Sequence, residues 1–249
     1  MFSMRDLFMR DGFLICKWIF DIPEIVNARE EILNYIKNKN ELISCNGISI
    51  VDFVGRNILP KTTQLMNNEK LIDILHHIFE NDNYRFCSHN DIGINRTVGW
   101  HKDKLNNEYE KYETIPIWNT YKGEKHEIVK VLIYMQDHDK DDNGLKIAPG
   151  THLNPNITGM NWIQLRPKIG DVIIFDQRID HCGMLQQVSI PRILVSFGFG
   201  KNNIFTDNFE NGTIARQNTQ NKMTKNSTNL TQNIKIEPLP KHKEIKLYN

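Results

Sequence analysis

The sequence predicts an α+β protein, mainly β, with a sandwich or jelly-roll core and N-terminal helices packed on it. Two segments with one apolar helical face lie before residue 80. From Tyr84 onward the apolar residues follow the alternating period of strands, and Gly, Asn and Pro separate one strand from the next. Several short strands that follow helices are typical of this fold class.

The N-terminal part, residues 1–80, is predicted to hold one strand and two helices. The apolar run 13–20 predicts a buried strand. Asp21 and Pro23 then mark a helix start, because aspartate is a favoured N-cap and proline fits the first turn. This helix carries its apolar residues on one face and ends in an asparagine-rich turn. The second helix is predicted over Glu69–Phe79.

The β core is predicted over residues 84–200, and with the N-terminal part it forms a single domain, 1–200. The expected strands are 84–88, 91–95, 97–103, 128–136, 145–148, 161–166, 171–175 and 192–199. Residues 201–249 are rich in Asn, Thr, Gln and Lys and poor in apolar residues. We expect them to form a polar, loosely structured C-terminal extension, whose last stretch from Ile234 docks as a strand.

The composition argues against several classes of partner. Lys and Arg number 31 against 30 Asp and Glu, so the net charge of +1 provides no general attraction to nucleic acid. No apolar run approaches the length of a membrane span. The four cysteines are scattered and form no C-x-x-C pair, which indicates a reduced, intracellular (cytoplasmic) protein. The expected partner is a small-molecule substrate.

A candidate metal site begins with the triplet His101-Lys102-Asp103. On an extended chain the side chains of His101 and Asp103 project from one face and Lys102 from the other, because strand side chains alternate. A second strand that brings His181 opposite them would complete two imidazoles and one carboxylate. This set leaves coordination positions open and is the facial triad of non-haem Fe(II) oxygenases. A His-x-Asp triplet alone is also common in surface hydrogen-bonded pairs, so the surrounding motifs matter.

Further motifs surround these residues along the chain. They are Asp11-Gly12-Phe13, Trp100-His101-Lys102-Asp103, the block from Asn143-Gly144 to Pro149-Gly150-Thr151-His152, Gly170-Asp171-Val172, His181 and Arg192. Each motif is unspecific by itself. In this order, over most of residues 5–200, they resemble the phytanoyl-CoA dioxygenase family of Fe(II)/2-oxoglutarate-dependent oxygenases.

The resemblance implies a double-stranded β-helix, which is a jelly-roll variant, and an iron-dependent dioxygenase. It implies that His101, Asp103 and His181 hold Fe(II), that Arg192 binds the distal carboxylate of 2-oxoglutarate, and that O₂ is the co-reactant. Related halogenases carry a small residue in place of the carboxylate, so Asp103 favours hydroxylation of a substrate C–H bond with release of succinate and CO₂. Lys102 departs from the family, which often has an uncharged polar residue there.

Two further residues are candidates for contact with the cosubstrate. Lys130 and Tyr134 lie four residues apart on one predicted strand, so both side chains can face the interior. A solvated lysine and a tyrosine at the rim of the core remain the alternatives. His152 is interpreted as a structural histidine in a turn.

The long, polar segment 104–125 contains aromatic residues, which favours a lid over the site. Two alternatives to such an oxygenase remain open. One is a non-catalytic jelly-roll binding protein that keeps the metal site, and the other is a cupin-like metal enzyme that does not use 2-oxoglutarate. Arg192 discriminates, because a pure binding module has no need of a carboxylate-binding fork at this place.

Overall fold

The computed structural model describes residues 2–37, 42–44, 47–103, 111–183 and 191–226. Within these ranges the helices are α1 (Met4–Asp11), α2 (Ile22–Lys37), α3 (Pro60–Gln64), α4 (Glu69–Phe79) and α5 (Ile204–Asn226). The strands are β1 (Phe13–Cys16), β2 (Leu42–Ser44), β3 (Gly47–Val51), β4 (Tyr84–Ile94), β5 (Val98–His101), β6 (Ile128–Tyr134), β7 (Lys146–Ile147), β8 (Ile163–Gln164), β9 (Val172–Asp176), β10 (His181–Gly183) and β11 (Ile193–Lys201).

The described strands form two antiparallel sheets. The larger sheet has the order β1-β9-β6-β11-β4-β3-β2, and the smaller sheet has the order β5-β10-β7-β8. Neighbouring strands run antiparallel in both sheets. Two such sheets with helices packed on one of them make up a double-stranded β-helix with an N-terminal helical layer. The predicted α+β, mainly β fold class is therefore confirmed.

Strand β6 shows how the larger sheet separates two apolar layers. The residues of this strand that share a core with α2 and α4 are Val129, Val131 and Ile133. Leu132 and Tyr134 belong instead to a second cluster, which includes Phe175 of the larger sheet and Ile147 of the smaller sheet. Because side chains alternate along a strand, Lys130 shares the face of Leu132 and Tyr134. Helices α2 and α4 cover one face of the larger sheet, and the other face borders the space between the sheets.

A buried contact joins the turn after β7 to the N-terminal helix. His152 is buried, and its Nε2 lies 3.1 Å from the carbonyl oxygen of Met9. Gly12 ends α1 in the left-handed conformation, and a Cβ at this position would come within 2.4 Å of the His152 Nδ1. Glycine avoids both the strain and the clash. The positions of Gly12 and His152 thus have a packing explanation, which agrees with the structural interpretation of this histidine.

Periodicity in the sequence predicts α4 with its observed bounds, but it fails for shorter elements. The separate strands predicted at 84–88 and 91–95 are wrong, because β4 runs through both. Ser88 has a φ of 59° within β4, and the pairing of β4 with β11 shifts register nearby, as in a β-bulge. The elements α1, α3, β2, β3 and β10 are each eight residues or shorter, too short to show a clear period.

The C-terminal extension differs from the expected loose structure, because residues 204–226 form α5, which packs on β4. Phe205 and Phe209 are its buried apolar anchors. Polar residues supply the rest of the contact, since Arg85 of β4 is ion-paired with Asp207 and Glu210. Because residues 204–226 are rich in polar side chains, the composition did not predict this packed helix. Residues 227–249, with the predicted docking strand, lie outside the described residues.

Part of the predicted lid segment is described. Residues 111–125 include Trp118, whose ring centroid lies 5.8 Å from Lys102 Nζ and 5.5 Å from Arg178 Cζ. Residues 104–110 lie outside the described residues, so the lid remains a prediction. Among the helices of the described ranges, none combines the length and the apolar character needed to cross a membrane.

Replacement of Phe209 by alanine is expected to lower the free energy of unfolding by about 3–5 kcal/mol, because a fully buried aromatic side chain leaves a cavity. Ile214→Ala on the same helix is the matched control, because Ile214 is 43% exposed. It is expected to change stability by less than about 0.5 kcal/mol. Urea unfolding measures both values, and equal small effects would contradict the packed position of α5.

Candidate metal centre

The two histidines predicted as ligands lie opposite each other on neighbouring strands. His101 ends β5 and His181 begins β10, and their Cα atoms are direct partners in the antiparallel register. The centroids of the two imidazole rings are 4.1 Å apart. This pairing joins two segments that are 80 residues apart in sequence, as the sequence analysis required.

Asp103 completes the cluster from just beyond the end of β5. Its Oδ1 lies 3.4 Å from the Nε2 of His101 and 3.7 Å from the Nε2 of His181. The ligand atoms of all three residues lie within 4.8 Å of one another, so the cluster can hold one metal ion. Lys102 departs to the other side of the chain. The structure therefore brings the three predicted ligands together, although the strand ends before Asp103.

Backbone carbonyls orient both imidazole rings. The Nδ1 of His101 lies 2.7 Å from the carbonyl oxygen of Gly99, and the Nδ1 of His181 lies 3.1 Å from that of Ile179. Since a carbonyl oxygen only accepts, each Nδ1 carries the proton and donates it. Each Nε2 then keeps a free lone pair directed toward Asp103. Metal-bound histidines are commonly held in this way through their other nitrogen.

The electrostatic surroundings set the protonation states that a metal ion requires. Burial, reinforced by the neighbouring His101, lowers the pKa of His181 to about 3, so this imidazole is neutral at physiological pH. Burial by itself would raise the pKa of Asp103, but the ammonium of Lys130 leads the interactions that outweigh it, and that pKa lies well below the usual range. A neutral imidazole and an ionised carboxylate are the ligand forms that bind metals.

Lys130 and Tyr134 both face the space between the sheets, as predicted. The Nζ of Lys130 donates to Asp103 Oδ2 at 2.9 Å, so its direct contact is with the candidate metal ligand. Tyr134 is 1% exposed, and among the described residues its hydroxyl has no hydrogen-bond partner. Burial raises the pKa of Tyr134 to about 12, so the hydroxyl keeps its proton and can donate it. The alternative of a solvated lysine does not match this position.

Arg192 immediately precedes β11 and is buried, with 4% of its surface exposed. Its Nη1 donates to the carbonyl oxygen of Asn143 at 3.0 Å, and its Nη2 donates to the carbonyl oxygen of Arg96. Its backbone N–H donates to Asn95 Oδ1. The Nε has no partner among the described residues. The Asn143-Gly144 motif thus helps to fix the guanidinium, and part of its donor fork remains unused.

A cavity of about 410 Å³ lies between the two sheets, within the usual range for ligand pockets. The predicted site residues that line it are His101, Asp103, Lys130, Tyr134, His181 and Arg192. The wall contains further polar residues that sequence reasoning did not place there, among them His89, Asp91, Arg96 and Arg216. The alternation of His89 and Asp91 along β4 could have placed them on one face. Nothing in the pattern indicated that this face points inward, or that α5 supplies an arginine.

Behind the histidines, a fully buried ion pair connects their two chain segments. Lys102 Nζ lies 2.8 Å from Asp180 Oδ1, and both side chains have 0% exposure. The ammonium also donates to the carbonyl oxygens of Thr151 and Arg178. Lys102 adjoins two candidate ligands and Asp180 adjoins the third. Lys102 therefore has a structural role that the sequence did not reveal.

Comparison with known proteins identifies the fold but not a family. No family model matches the chain, and no curated protein matches it in sequence. Among solved structures, the non-heme α-ketoglutarate (2-oxoglutarate) dependent epimerase SnoN from nogalamycin biosynthesis aligns with a TM-score of 0.62 and 13% identity, covering 79% of this chain and 80% of SnoN.

Two further structures align in the same way. HygX from Streptomyces hygroscopicus, with nickel and 2-oxoglutarate bound, gives a TM-score of 0.60 and 15% identity over 78% of this chain and 85% of HygX. EctD from S. alaskensis, with 2-oxoglutarate and 5-hydroxyectoine, gives a TM-score of 0.62 and 16% identity over 78% of this chain and 74% of EctD. At these identities the likeness establishes a shared fold.

The Lys102–Asp180 pair is expected to act as a unit in stability measurements. Lys102→Met leaves the buried Asp180 carboxylate without its partner, and Asp180→Asn leaves the buried Lys102 ammonium without its partner. Each single variant is expected to lower the free energy of unfolding by about 3–5 kcal/mol. The double variant is expected to lose clearly less than the sum, because the unpaired charge is removed. A double-mutant cycle in urea measures this coupling.

The control for this cycle is the exposed pair of Arg166 and Asp142, whose side chains are about half exposed. Arg166→Met is expected to change stability by less than about 1 kcal/mol. If the Lys102 and Asp180 effects add within about 0.5 kcal/mol, the two residues do not act as a pair.

Proposed function

We propose that the protein is an Fe(II)- and 2-oxoglutarate-dependent dioxygenase of the phytanoyl-CoA dioxygenase family, which hydroxylates a C–H bond of a small molecule. The observation that carries this proposal is the cluster of two Nε2 atoms and one carboxylate on the wall of a cavity that also contains Arg192. Three protein ligands leave positions open for a bidentate 2-oxo acid and for O₂.

The donor set fits iron. His101 and His181 would bind it through Nε2, since backbone carbonyls hold both Nδ1–H groups. Asp103 would bind through Oδ1, which faces both imidazoles, while Oδ2 stays hydrogen-bonded to Lys130. Lys130 thus acts in this proposal as the partner that orients the carboxylate and keeps it ionised.

The cavity also contains unused donors that fit a carboxylate. The Tyr134 hydroxyl and the Arg192 Nε are buried polar groups without a partner among the described residues. An unsatisfied buried donor is costly, and a carboxylate in the cavity would accept from both. We assign this end of the cavity to the distal carboxylate of 2-oxoglutarate. HygX and EctD, which share the fold, were crystallised with 2-oxoglutarate, which supports the assignment.

Iron and 2-oxoglutarate, when bound, would supply the oxidising chemistry with O₂, and succinate and CO₂ would be released. The protein residues would bind and orient these groups and keep water from the reacting atoms. The carboxylate at Asp103 supports hydroxylation over halogenation, because it occupies the position that a halide would need. The fold alone does not decide the reaction, since one protein that shares it is named an epimerase.

The alternative function is a non-catalytic ligand-binding protein that retains the metal site. The presence of Arg192 beside the metal ligand Asp103 distinguishes the oxygenase from such a binding protein. A binding protein has no reason to place a carboxylate-binding arginine in the cavity of its metal site.

In air, the Fe(II)-loaded protein is expected to convert 2-oxoglutarate to succinate, and a library of small molecules is expected to contain compounds that accelerate this conversion. Asp103→Ala is expected to reduce succinate formation at least a hundredfold, because one of three metal ligands is lost. Arg192→Gln is expected to raise the 2-oxoglutarate concentration for half-maximal rate at least tenfold. Chromatography of succinate measures both effects.

Asp142→Ala provides the control, because this carboxylate is nearly half exposed. It should behave like the parent. Hydroxylation further predicts that the product gains one oxygen atom from ¹⁸O₂, which mass spectrometry detects. Oxidation without oxygen gain would contradict hydroxylation, and the absence of succinate with every compound would favour the binding protein.

A further inference from the structure

The charged side chains in the cavity wall are paired, with two exceptions among the described residues. The pairs are Lys130 with Asp103 at 2.9 Å, Arg216 with Asp91 at 2.7 Å and Lys102 with Asp180 at 2.8 Å. The two exceptions are Arg192 and Arg96. The proposed function uses Arg192 for the cosubstrate, and it leaves Arg96 without a role.

Among the described residues, no acidic side chain neutralises the cation of Arg96. Its side chain makes no hydrogen bond or ion pair with any residue that the structure describes, and its Nε is buried. Only its backbone carbonyl oxygen is used, as the acceptor for Arg192 Nη2. Arg96 is partly buried, and a buried Nε–H without a partner is costly, while the guanidinium can still accept an anion from the cavity. Such a group in a cavity wall indicates an anionic ligand.

The sequence makes room for this arginine inside the cavity. His89, Asp91 and Gly93 alternate along β4, and all three line the cavity. The Arg96 side chain folds back over Gly93, where a Cβ would come within 3.3 Å of the Arg96 Cδ. The missing side chain at Gly93 thus lets the arginine lie across the inner face of the strand. The arrangement places Arg96 in the wall of the cavity.

We infer that Arg96 binds an anionic group of the substrate, a carboxylate or a phosphate. This inference rests on the proposed function, in which the metal and 2-oxoglutarate occupy the ligand cluster and the Arg192 end. With those groups bound, Arg192 has its carboxylate and Arg96 remains the unneutralised cation. The planar fork of a guanidinium matches both anions. The substrate class is therefore a small anionic molecule that fits beside the cosubstrate in the cavity.

The test uses two probes of equal shape, pentanoate and its amide pentanamide, which differ in charge. Anaerobic calorimetry measures their binding to the Fe(II)-loaded protein at low ionic strength, with 2-oxoglutarate saturating so that Arg192 is occupied. The parent is expected to bind pentanoate at least tenfold more tightly than pentanamide. Arg96→Gln is expected to abolish this preference, and Arg96→Lys to retain part of it, since lysine keeps the charge without the fork.

The matched control is Arg166→Gln, an exposed arginine outside the cavity, which should keep the preference. The affinity for 2-oxoglutarate, measured in the same protein samples, is expected to stay within twofold of the parent in Arg96→Gln. A parent that does not prefer the acid would overturn the inference. So would a loss of 2-oxoglutarate binding in Arg96→Gln equal to that in Arg192→Gln, because Arg96 would then serve the cosubstrate.

Failure of the proposed function gives a different result. If the parent protein binds no 2-oxoglutarate, the proposed dioxygenase function is contradicted. The binding of pentanoate and pentanamide is then compared on the Fe(II)-loaded protein without 2-oxoglutarate. In that case a preference for pentanoate that disappears in Arg96→Gln supports the anion site, and a preference that survives in this variant overturns it.

Discussion

The geometry of the candidate metal centre depends on the buried ion pair of Lys102 and Asp180. The lysine lies between His101 and Asp103, and the aspartate precedes His181, so one interaction joins the two segments that carry all three candidate ligands. Removing two charges from water costs several kcal/mol per ion, so a buried pair contributes little net stability unless its remaining hydrogen bonds are made. The Lys102 ammonium also donates to the carbonyl oxygens of Thr151 and Arg178. The Asp180 carboxylate also accepts from the backbone N–H groups of Thr158 and Gly159 and from the Thr158 hydroxyl. We interpret the pair as a device that fixes position.

In the wall of the cavity between the sheets, most charged side chains form ion pairs, and a few hydrogen-bond donors have no partner among the described residues. Lys130 faces Asp103, and Arg216 of α5 faces Asp91 of β4. The unused donors belong to Tyr134, Arg192 and Arg96, and they line the same cavity as the ligand cluster. In the proposed function, these donors would bind the dicarboxylic cosubstrate and an anionic substrate. The helices on the far face of the larger sheet bury the apolar core and leave this polar interior intact.

The sequence predicted the fold class from local patterns, and it placed the six candidate site residues by strand alternation, by the His-x-Asp triplet and, for Arg192, by the family resemblance, although their roles remain predictions. Strand alternation placed Lys130 and Tyr134 on one face, and the His-x-Asp triplet with a distant histidine predicted the ligand cluster. Contacts between distant segments were not predictable in this way. Arg216 enters the cavity from a helix whose composition suggested no packing, and the Arg96 side chain packs closely over Gly93 in the cavity wall.

An anaerobic optical titration tests whether His101, Asp103 and His181 hold Fe(II) beside a 2-oxoglutarate that Arg192 binds. When 2-oxoglutarate is added to the Fe(II)-loaded protein, chelation should produce a visible metal-to-ligand charge-transfer band that saturates at one cosubstrate per protein chain. Asp103→Ala should lose the band, and Arg192→Ala should need much more 2-oxoglutarate to develop it. The absence of a band in the folded parent, with iron bound, would contradict the account and leave the two histidines with a structural role.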